Sequence, residues 1–156
     1  MVDTSLFVLL VVGSASKRYI SLHRRLSEFT IYDFDMLGLI IADFSEIVLV
    51  PHVVAETSTL VRQIDGPAYK QVQASLRTLI ETCAELPVQS ITGAQRVEFE
   101  PLGLTDSILL HLCTLAINGI RPTLVTTDED LANSANSLGY SVIDYKREFQ
   151  TEANDS

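Results

Sequence analysis

The chain has 156 residues, of which 47% are hydrophobic and 20% are charged, a composition that suits a single folded domain with its own core. The apolar run at 6–12 is too short to span a bilayer, and no basic residue precedes it as in a secretory signal, so we expect a cytoplasmic protein without a membrane anchor. The net charge of −9 disfavours an extensive phosphate-binding surface. Cys83 and Cys113 fit neither a metal pair nor a disulfide framework, which predicts reduced, buried thiols.

The hydrophobic pattern predicts strands that alternate with helices. The run at 6–12 is continuously apolar and ends at Gly13, which is typical of a buried central strand. Thr30 and Asp33 resemble a capping box at the start of a helix. In chain order, the pattern predicts strands at 6–12, 47–50, 122–127 and 140–144, and helices at 31–44, 51–66, 67–83, 105–119 and 128–139. Residues 88–101 show no clear pattern.

This alternation predicts an α/β fold with three layers, in which a central, mainly parallel sheet is covered by helices on both faces (α/β/α). We expect the domain to span residues 1–145 and the polar stretch 146–156 to form a frayed tail. Sites in such folds lie beyond the carboxyl ends of the strands. Asp128 directly follows the third predicted strand, and Glu56 and Asp106 lie near helix beginnings. Asp3 precedes its predicted strand, so periodicity alone does not bring it to the other acids.

A basic stretch follows the first predicted strand. Between residues 1 and 27 the only acid is Asp3, whereas Lys17, Arg18, Arg24 and Arg25 lie close together in the sequence. We hypothesise that these cations bind the phosphates of a nucleic acid. The alternative is a solvated surface without a ligand.

Four short motifs carry a resemblance to a known family. They are VDTS at 2–5, LVPHVVAETSTL at 49–60, LGLTDSILL at 102–110 and LVTTDEDL at 124–131. In order and spacing they resemble the four successive motifs of PIN-domain nucleases, and the resemblance covers residues 2 to about 145. Ser5 stands where Asn is the commoner residue of that family.

The resemblance implies that four acids from distant parts of the chain converge in one acidic pocket. These catalytic positions are Asp3, Glu56, Asp106 and Asp128. The resemblance assigns Asp3, Asp106 and Asp128 to direct metal binding, and Glu56 to a metal or to the attacking water. It implies supporting roles for Asp130, for Ser5, and for Thr126, whose hydroxyl would hold a neighbouring carboxylate.

Such a pocket points to divalent metal chemistry. Crowded carboxylates repel one another unless cations neutralise them, and hard oxygen ligands select Mg²⁺ or Mn²⁺. One metal lowers the pKa of an attacking water and a second stabilises the leaving oxygen of a phosphodiester. The sequence lacks the motifs of two other classes of hydrolase. His23, His52 and His111 are too far apart in the sequence to form a zinc-binding pair, and the GxSxG motif of serine hydrolases is absent.

The resemblance thus implies a Mg²⁺- or Mn²⁺-dependent endoribonuclease that uses a two-metal mechanism. Many small PIN proteins are toxins of toxin–antitoxin pairs, which implies an RNA substrate, a cognate antitoxin protein and a homodimer as candidate partners. The alternative is a catalytically idle PIN-like module that binds RNA or protein. A phosphoacceptor receiver domain is disfavoured, because the chain lacks the paired acids after the first predicted strand and the lysine after a late strand.

Overall fold

The computed structural model describes residues 1–150 and has a mixed α/β fold in which helices predominate. The described chain divides into two compact units. The N-terminal unit comprises Thr4–Leu86, and the C-terminal unit comprises Met1–Asp3 together with the chain from Pro87 onward. No helix among residues 1–150 combines the length and the apolar character needed to cross a membrane.

The N-terminal unit contains four α-helices, two short 3₁₀ turns and one small parallel sheet. In chain order these are α1 (Thr4–Ala15), the 3₁₀ turns Lys17–Tyr19 and Arg24–Leu26, α2 (Ile31–Ala42), β1 (Val48–Leu49), α3 (Pro51–Leu60), α4 (Pro67–Thr82) and β2 (Ala84–Glu85). The two strands pair in parallel, with Val48 opposite Ala84.

The first predicted strand is wrong, because residues 6–12 belong to helix α1. A buried apolar run can be a strand or a buried helix, and periodicity does not separate the two. Helix α1 is apolar on all sides and carries no charged residue in its first or last turn. Such a helix has to be buried on every face, and α1 contacts α2, α3 and α4.

Close contacts fix α1 among its neighbours. A Cβ added at Gly13 of α1 would lie 2.2 Å from the Phe34 ring of α2, so only glycine permits this approach. The Ser75 hydroxyl of α4 donates a hydrogen bond of 2.8 Å to the carbonyl of Val11. The core of this unit is therefore helical, with α1 at its centre.

Local sequence signals set the starts of the other helices in this unit. The Thr30 hydroxyl accepts from the amide of Asp33, and the Asp33 carboxylate accepts from the amide of Thr30, so the predicted capping box of α2 is confirmed. Pro51 and Pro67 lie in the first turns of α3 and α4, where the missing amide proton of proline is not needed.

The C-terminal unit contains the remaining helices and a second parallel sheet. In chain order these are α5 (Ser90–Ala94), α6 (Phe99–Leu102), α7 (Leu104–Leu112), β3 (Leu124–Thr126), α8 (Glu129–Ser137) and β4 (Val142–Asp144), followed by a π-helical turn (Lys146–Gln150). Strands β3 and β4 pair in parallel, with Thr126 opposite Asp144. The parallel pairing agrees with the sequence pattern, but each of the two described sheets has only two strands.

The start of the chain adds a third extended segment beside β3. Val2 forms an isolated parallel bridge with Val125. The amide of Asp3 donates to the carbonyl of Val125 at 3.1 Å, and the amide of Val125 donates to the carbonyl of Met1 at 2.9 Å. The strand-like part of the N-terminal motif is therefore Met1–Asp3, immediately before α1, and β3 is paired on both sides.

Two further boundaries differ from the sequence-based expectation. Helix α7 begins at Leu104 after Gly103, which has φ of 84°, so Thr105 is not the N-cap, and the helix ends at Leu112 instead of Gly119. Lys146–Gln150 form a helical turn in the stretch expected to be frayed, and residues 151–156 of that stretch lie outside the described residues.

Candidate functional site

The carboxyl end of β3 is the centre of the candidate site. Thr126, the last residue of the strand, is completely buried, and Thr127 after it is also buried. Asp3 lies beside them because Met1–Asp3 pair with Val125. Asp3 is only 5% exposed, so its carboxylate depends on hydrogen bonds to offset the loss of water.

Three donors from β3 and the residue after it converge on one oxygen of Asp3. Oδ2 accepts from the Thr126 hydroxyl at 2.6 Å, from the Thr127 amide at 2.7 Å and from the Thr127 hydroxyl at 3.3 Å. Hydrogen bonds to an ionised acceptor are short and strong. The threonine pair therefore fixes the position of this carboxylate.

Asp128 lies at the same end of β3. Its amide donates to the Thr126 hydroxyl at 3.0 Å, so one hydroxyl links the Asp3 carboxylate to the backbone of Asp128. The Asp128 side chain is the N-cap of α8 and accepts from the amide of Leu131 at 2.9 Å. Asp128 and Asp130, in the first turn of α8, are both exposed.

Asp106 lies in the first turn of α7, in the same unit, and α7 contacts α8. Helix α5 fixes this turn from one side, because a Cβ on Gly93 would lie 2.7 Å from Ile108 and 3.2 Å from the carbonyl of Leu104. The next residue, Ser107, is completely buried, and its hydroxyl finds no hydrogen-bond partner within residues 1–150. An unsatisfied buried hydroxyl costs about 1–3 kcal/mol.

Glu56 belongs to the N-terminal unit, as does Ser5. Glu56 is exposed on α3, and its Oε2 accepts a hydrogen bond of 2.8 Å from the Thr4 hydroxyl. Ser5 lies in the first turn of α1. Thr4 is the residue that follows Asp3 in the chain.

No group of three or more His, Cys, Asp or Glu side chains is placed to hold a metal ion in the described part of the chain. The carboxylates that the sequence selects have the donor chemistry that Mg²⁺ and Mn²⁺ prefer. The described positions do not assemble them into a coordination sphere, so no catalytic step through a metal follows from the geometry.

The basic stretch lies in the N-terminal unit, around the two 3₁₀ turns. Lys17 pairs with Asp35 at 2.6 Å, and both side chains are about half exposed. Arg18 lies over the Tyr19 ring, 5.3 Å from its centroid. Arg24 and Arg25 are exposed and form no ion pair with any side chain of residues 1–150. These two arginines are therefore the available cations of the stretch.

Sequence reasoning missed two residues at the edge of the sheet where β3 and β4 end. Thr127 supplies two of the three donors to Asp3, and one of them is a backbone amide that no motif reveals. Asp144 is in register with Thr126 on the neighbouring strand, and its Oδ1 accepts from the amide of Arg147. An acid at the end of the predicted last strand was the signal for Asp144, because neighbouring parallel strands end at the same sheet edge.

The two cysteines are free thiols. Cys113 is buried at the end of α7, and burial raises its pKa to about 11. Cys83, at the end of α4, is half-buried, and burial raises its pKa as well. A raised pKa leaves little reactive thiolate at neutral pH, so neither residue has the properties of a catalytic cysteine.

Comparisons of the chain with protein families, with characterised proteins and with solved structures gave no significant match.

Proposed function

We propose that this protein is a metal-dependent ribonuclease of the PIN type, with a three-layer α/β/α fold, that hydrolyses RNA phosphodiester bonds. The observation that carries the proposal is the Thr126 hydroxyl, which donates to Asp3 and accepts from the amide of Asp128. Two acids from opposite ends of the sequence are thereby tied to the same end of β3. These are two of the four acids that the motifs select.

The other two acids follow from the resemblance. Asp106 lies in the first turn of α7, which contacts α8, the helix that Asp128 caps. Glu56 accepts from Thr4, which adjoins Asp3 in the chain. In the proposed enzyme, Asp3, Asp106 and Asp128 hold Mg²⁺ or Mn²⁺, and Glu56 binds a metal or orients the attacking water.

The remaining side chains have supporting roles in this proposal. Thr126 and Thr127 hold the Asp3 carboxylate in place, which limits the reorganisation needed when a ligand arrives. A metal held by Asp3, Asp106 and Asp128 would lower the pKa of a water molecule and offset charge on the phosphate. Arg24 and Arg25 bind RNA phosphates beside the cleaved bond.

We place this activity in the cytoplasm, as the toxin of a toxin–antitoxin pair. A cognate antitoxin protein and a second copy of the chain are the proposed protein partners. The support for this role is the resemblance to small PIN proteins alone.

The test is cleavage of a single-stranded RNA by the purified protein with Mg²⁺, with Mn²⁺ and with excess EDTA. We expect cleavage with either metal, none with EDTA, and none from Asp3→Asn or Asp106→Asn. Asp65→Asn changes an exposed acid outside the motifs and is the matched control. A metal at about 100 times its Kd adds about 2.7 kcal/mol to the free energy of unfolding, so Mn²⁺ should raise Tm of the wild type by about 5–10 °C and leave that of Asp106→Asn unchanged.

The idle-module alternative has one observation in its favour. A carboxylate oxygen with three donors, like Oδ2 of Asp3, is also what a purely structural aspartate displays. An idle module would bind RNA or a protein without cleaving RNA, and Mn²⁺ would leave its Tm unchanged. Cleavage that persists in Asp106→Asn would contradict the proposed active site.

A further inference from the structure

The 3₁₀ turn Arg24–Leu26 depends on a buried histidine. His23 is 2% exposed, although Arg24 and Arg25 beside it are exposed. Leu26, at the end of the turn, is buried, and its amide donates to the carbonyl of His23 at 2.9 Å. The arginines are thus displayed on a short turn that the core anchors at both ends.

The His23 imidazole caps this turn. Its Nδ1 accepts a hydrogen bond of 3.2 Å from the amide of Arg25. An amide nitrogen can only donate, so Nδ1 must carry a lone pair, and the proton of the neutral ring is on Nε2. A protonated ring would turn a donor toward the Arg25 amide and lose this bond.

The surroundings of the ring disfavour its charged form. Nε2 is buried and forms no hydrogen bond of ordinary geometry to any of residues 1–150, although the carbonyls of Leu60 and Val61 lie near enough to raise the pKa. Burial has the larger effect and lowers the pKa of His23 below its usual value. The ring is therefore neutral at pH 7.

The elements packed around the ring carry few charges. Helix α1, which contacts the turn, has no charged side chain. Helix α3, whose end supplies the two carbonyls, carries His52 and Glu56 nearer its start, and Arg62 follows it. Arg24 and Arg25 are the charges on the turn itself, and the exposed Glu28 follows it.

We propose that His23 is an acid-sensitive switch, in which protonation of the ring abolishes the Nδ1 cap and releases the turn that displays Arg24 and Arg25. In the native state a proton on His23 must replace a hydrogen bond and bring a charge into the core. The unfolded chain accepts that proton more readily, so the turn loses stability as the pH falls below about 6.5, the usual pKa of histidine.

The consequence for RNA rests on the function proposed above. If both arginines contact phosphates, their release removes two counterion-displacing contacts. For single strands each contact contributes about 0.7 to the slope of log K against log salt concentration, so the slope should become shallower by about 1.4 in acid. Acidification would therefore weaken RNA binding through this turn alone.

The release of the turn is tested without RNA. In the wild-type protein, we expect the NMR signal of the Arg25 amide to shift with the same midpoint as the His23 ring, below pH 6.5. In His23→Asn the side-chain oxygen caps the turn and does not titrate, so the Arg25 signal should stay constant over the same pH range. If the chemical shift of the Arg25 amide does not change as His23 titrates in the wild-type protein, the proposed switch is wrong.

The effect on binding is tested with a single-stranded oligoribonucleotide, and every variant carries Asp106→Asn to prevent cleavage. With His23 intact, we expect the slope of log K for RNA binding against log salt concentration to be shallower at pH 5.5 than at pH 7.5. The slope should be steep at both pH values in His23→Asn and shallow at both in His23→Ala. Equal slopes at the two pH values with intact His23 refute the coupling to RNA. Failure to bind RNA at any pH refutes the proposed function. The pH dependence of the Arg25 amide signal then tests the release of the turn independently of RNA.

Discussion

Replacing Thr126 with valine removes one hydroxyl and keeps the shape of the side chain. That hydroxyl donates to Asp3 at 2.6 Å and accepts from the amide of Asp128 at 3.0 Å, in a completely buried position. Valine also has a high propensity for β-strands, so we expect the backbone conformation of β3 to be unchanged. The substitution therefore isolates the two hydrogen bonds.

The expected cost follows from the type of each bond. A hydrogen bond to a charged group contributes about 1.5–3 kcal/mol, and a bond between neutral groups contributes about 0.5–1.5 kcal/mol. We expect Thr126→Val to lower the free energy of unfolding by about 2–4 kcal/mol. For a chain of this size that corresponds to a fall in Tm of about 5–15 °C.

The matched control is Thr127→Val, at the next position in the chain. Its hydroxyl lies 3.3 Å from Asp3, and the stronger contact from the Thr127 amide at 2.7 Å is kept. We expect a loss of about 1 kcal/mol or less, measured by urea denaturation at neutral pH. If the two variants lose the same stability, or if Thr126→Val loses less than about 0.5 kcal/mol, the Thr126 hydroxyl does not hold the Asp3 carboxylate.

Three further predictions concern the C-terminal unit and helix α2. Ser107→Ala should raise the free energy of unfolding by about 1 kcal/mol in urea denaturation, since the buried hydroxyl has no partner in the described structure, and a loss of stability would show that it has one in solution. Gly93→Ala should cost about 1–3 kcal/mol because its Cβ would meet Ile108 at 2.7 Å, whereas Gly38→Ala, with open space around it, should add about 0.5–1 kcal/mol. Cys113, with its pKa raised to about 11, should resist alkylation at pH 8 until the protein unfolds, and rapid labelling of the native protein would contradict its burial. The contribution of Cys113 to the free energy of unfolding should decline as the pH rises from 9 to about 11, because the unfolded chain loses the thiol proton first.

Helix boundaries were predicted best where one residue or a short motif controls them. The capping box of Thr30 and Asp33 and the prolines at the starts of α3 and α4 act within a single turn. Strand β3 and helix α8 were also located from sequence, because an apolar run ends at an acid that caps the next helix. Such signals are local and need no knowledge of the fold.

The prediction for residues 6–12 failed because burial hides periodicity. When every face of α1 contacts apolar neighbours, the sequence has no polar positions from which to distinguish 3.6 residues per turn from 2. The end of α7 was misplaced for a related reason, since apolar residues continue beyond Leu112 to Ile120 although the helix stops.

The sequence by itself determined which acids to examine, and it indicated that a threonine hydroxyl would serve one of them. Only the tertiary structure decided that this acid is Asp3, that Thr127 assists through its backbone amide, and that His23 is buried beneath two exposed arginines. The physical reason is that hydrogen bonds between distant segments depend on chain pairing, here of Met1–Asp3 with β3, and a linear pattern does not contain that pairing.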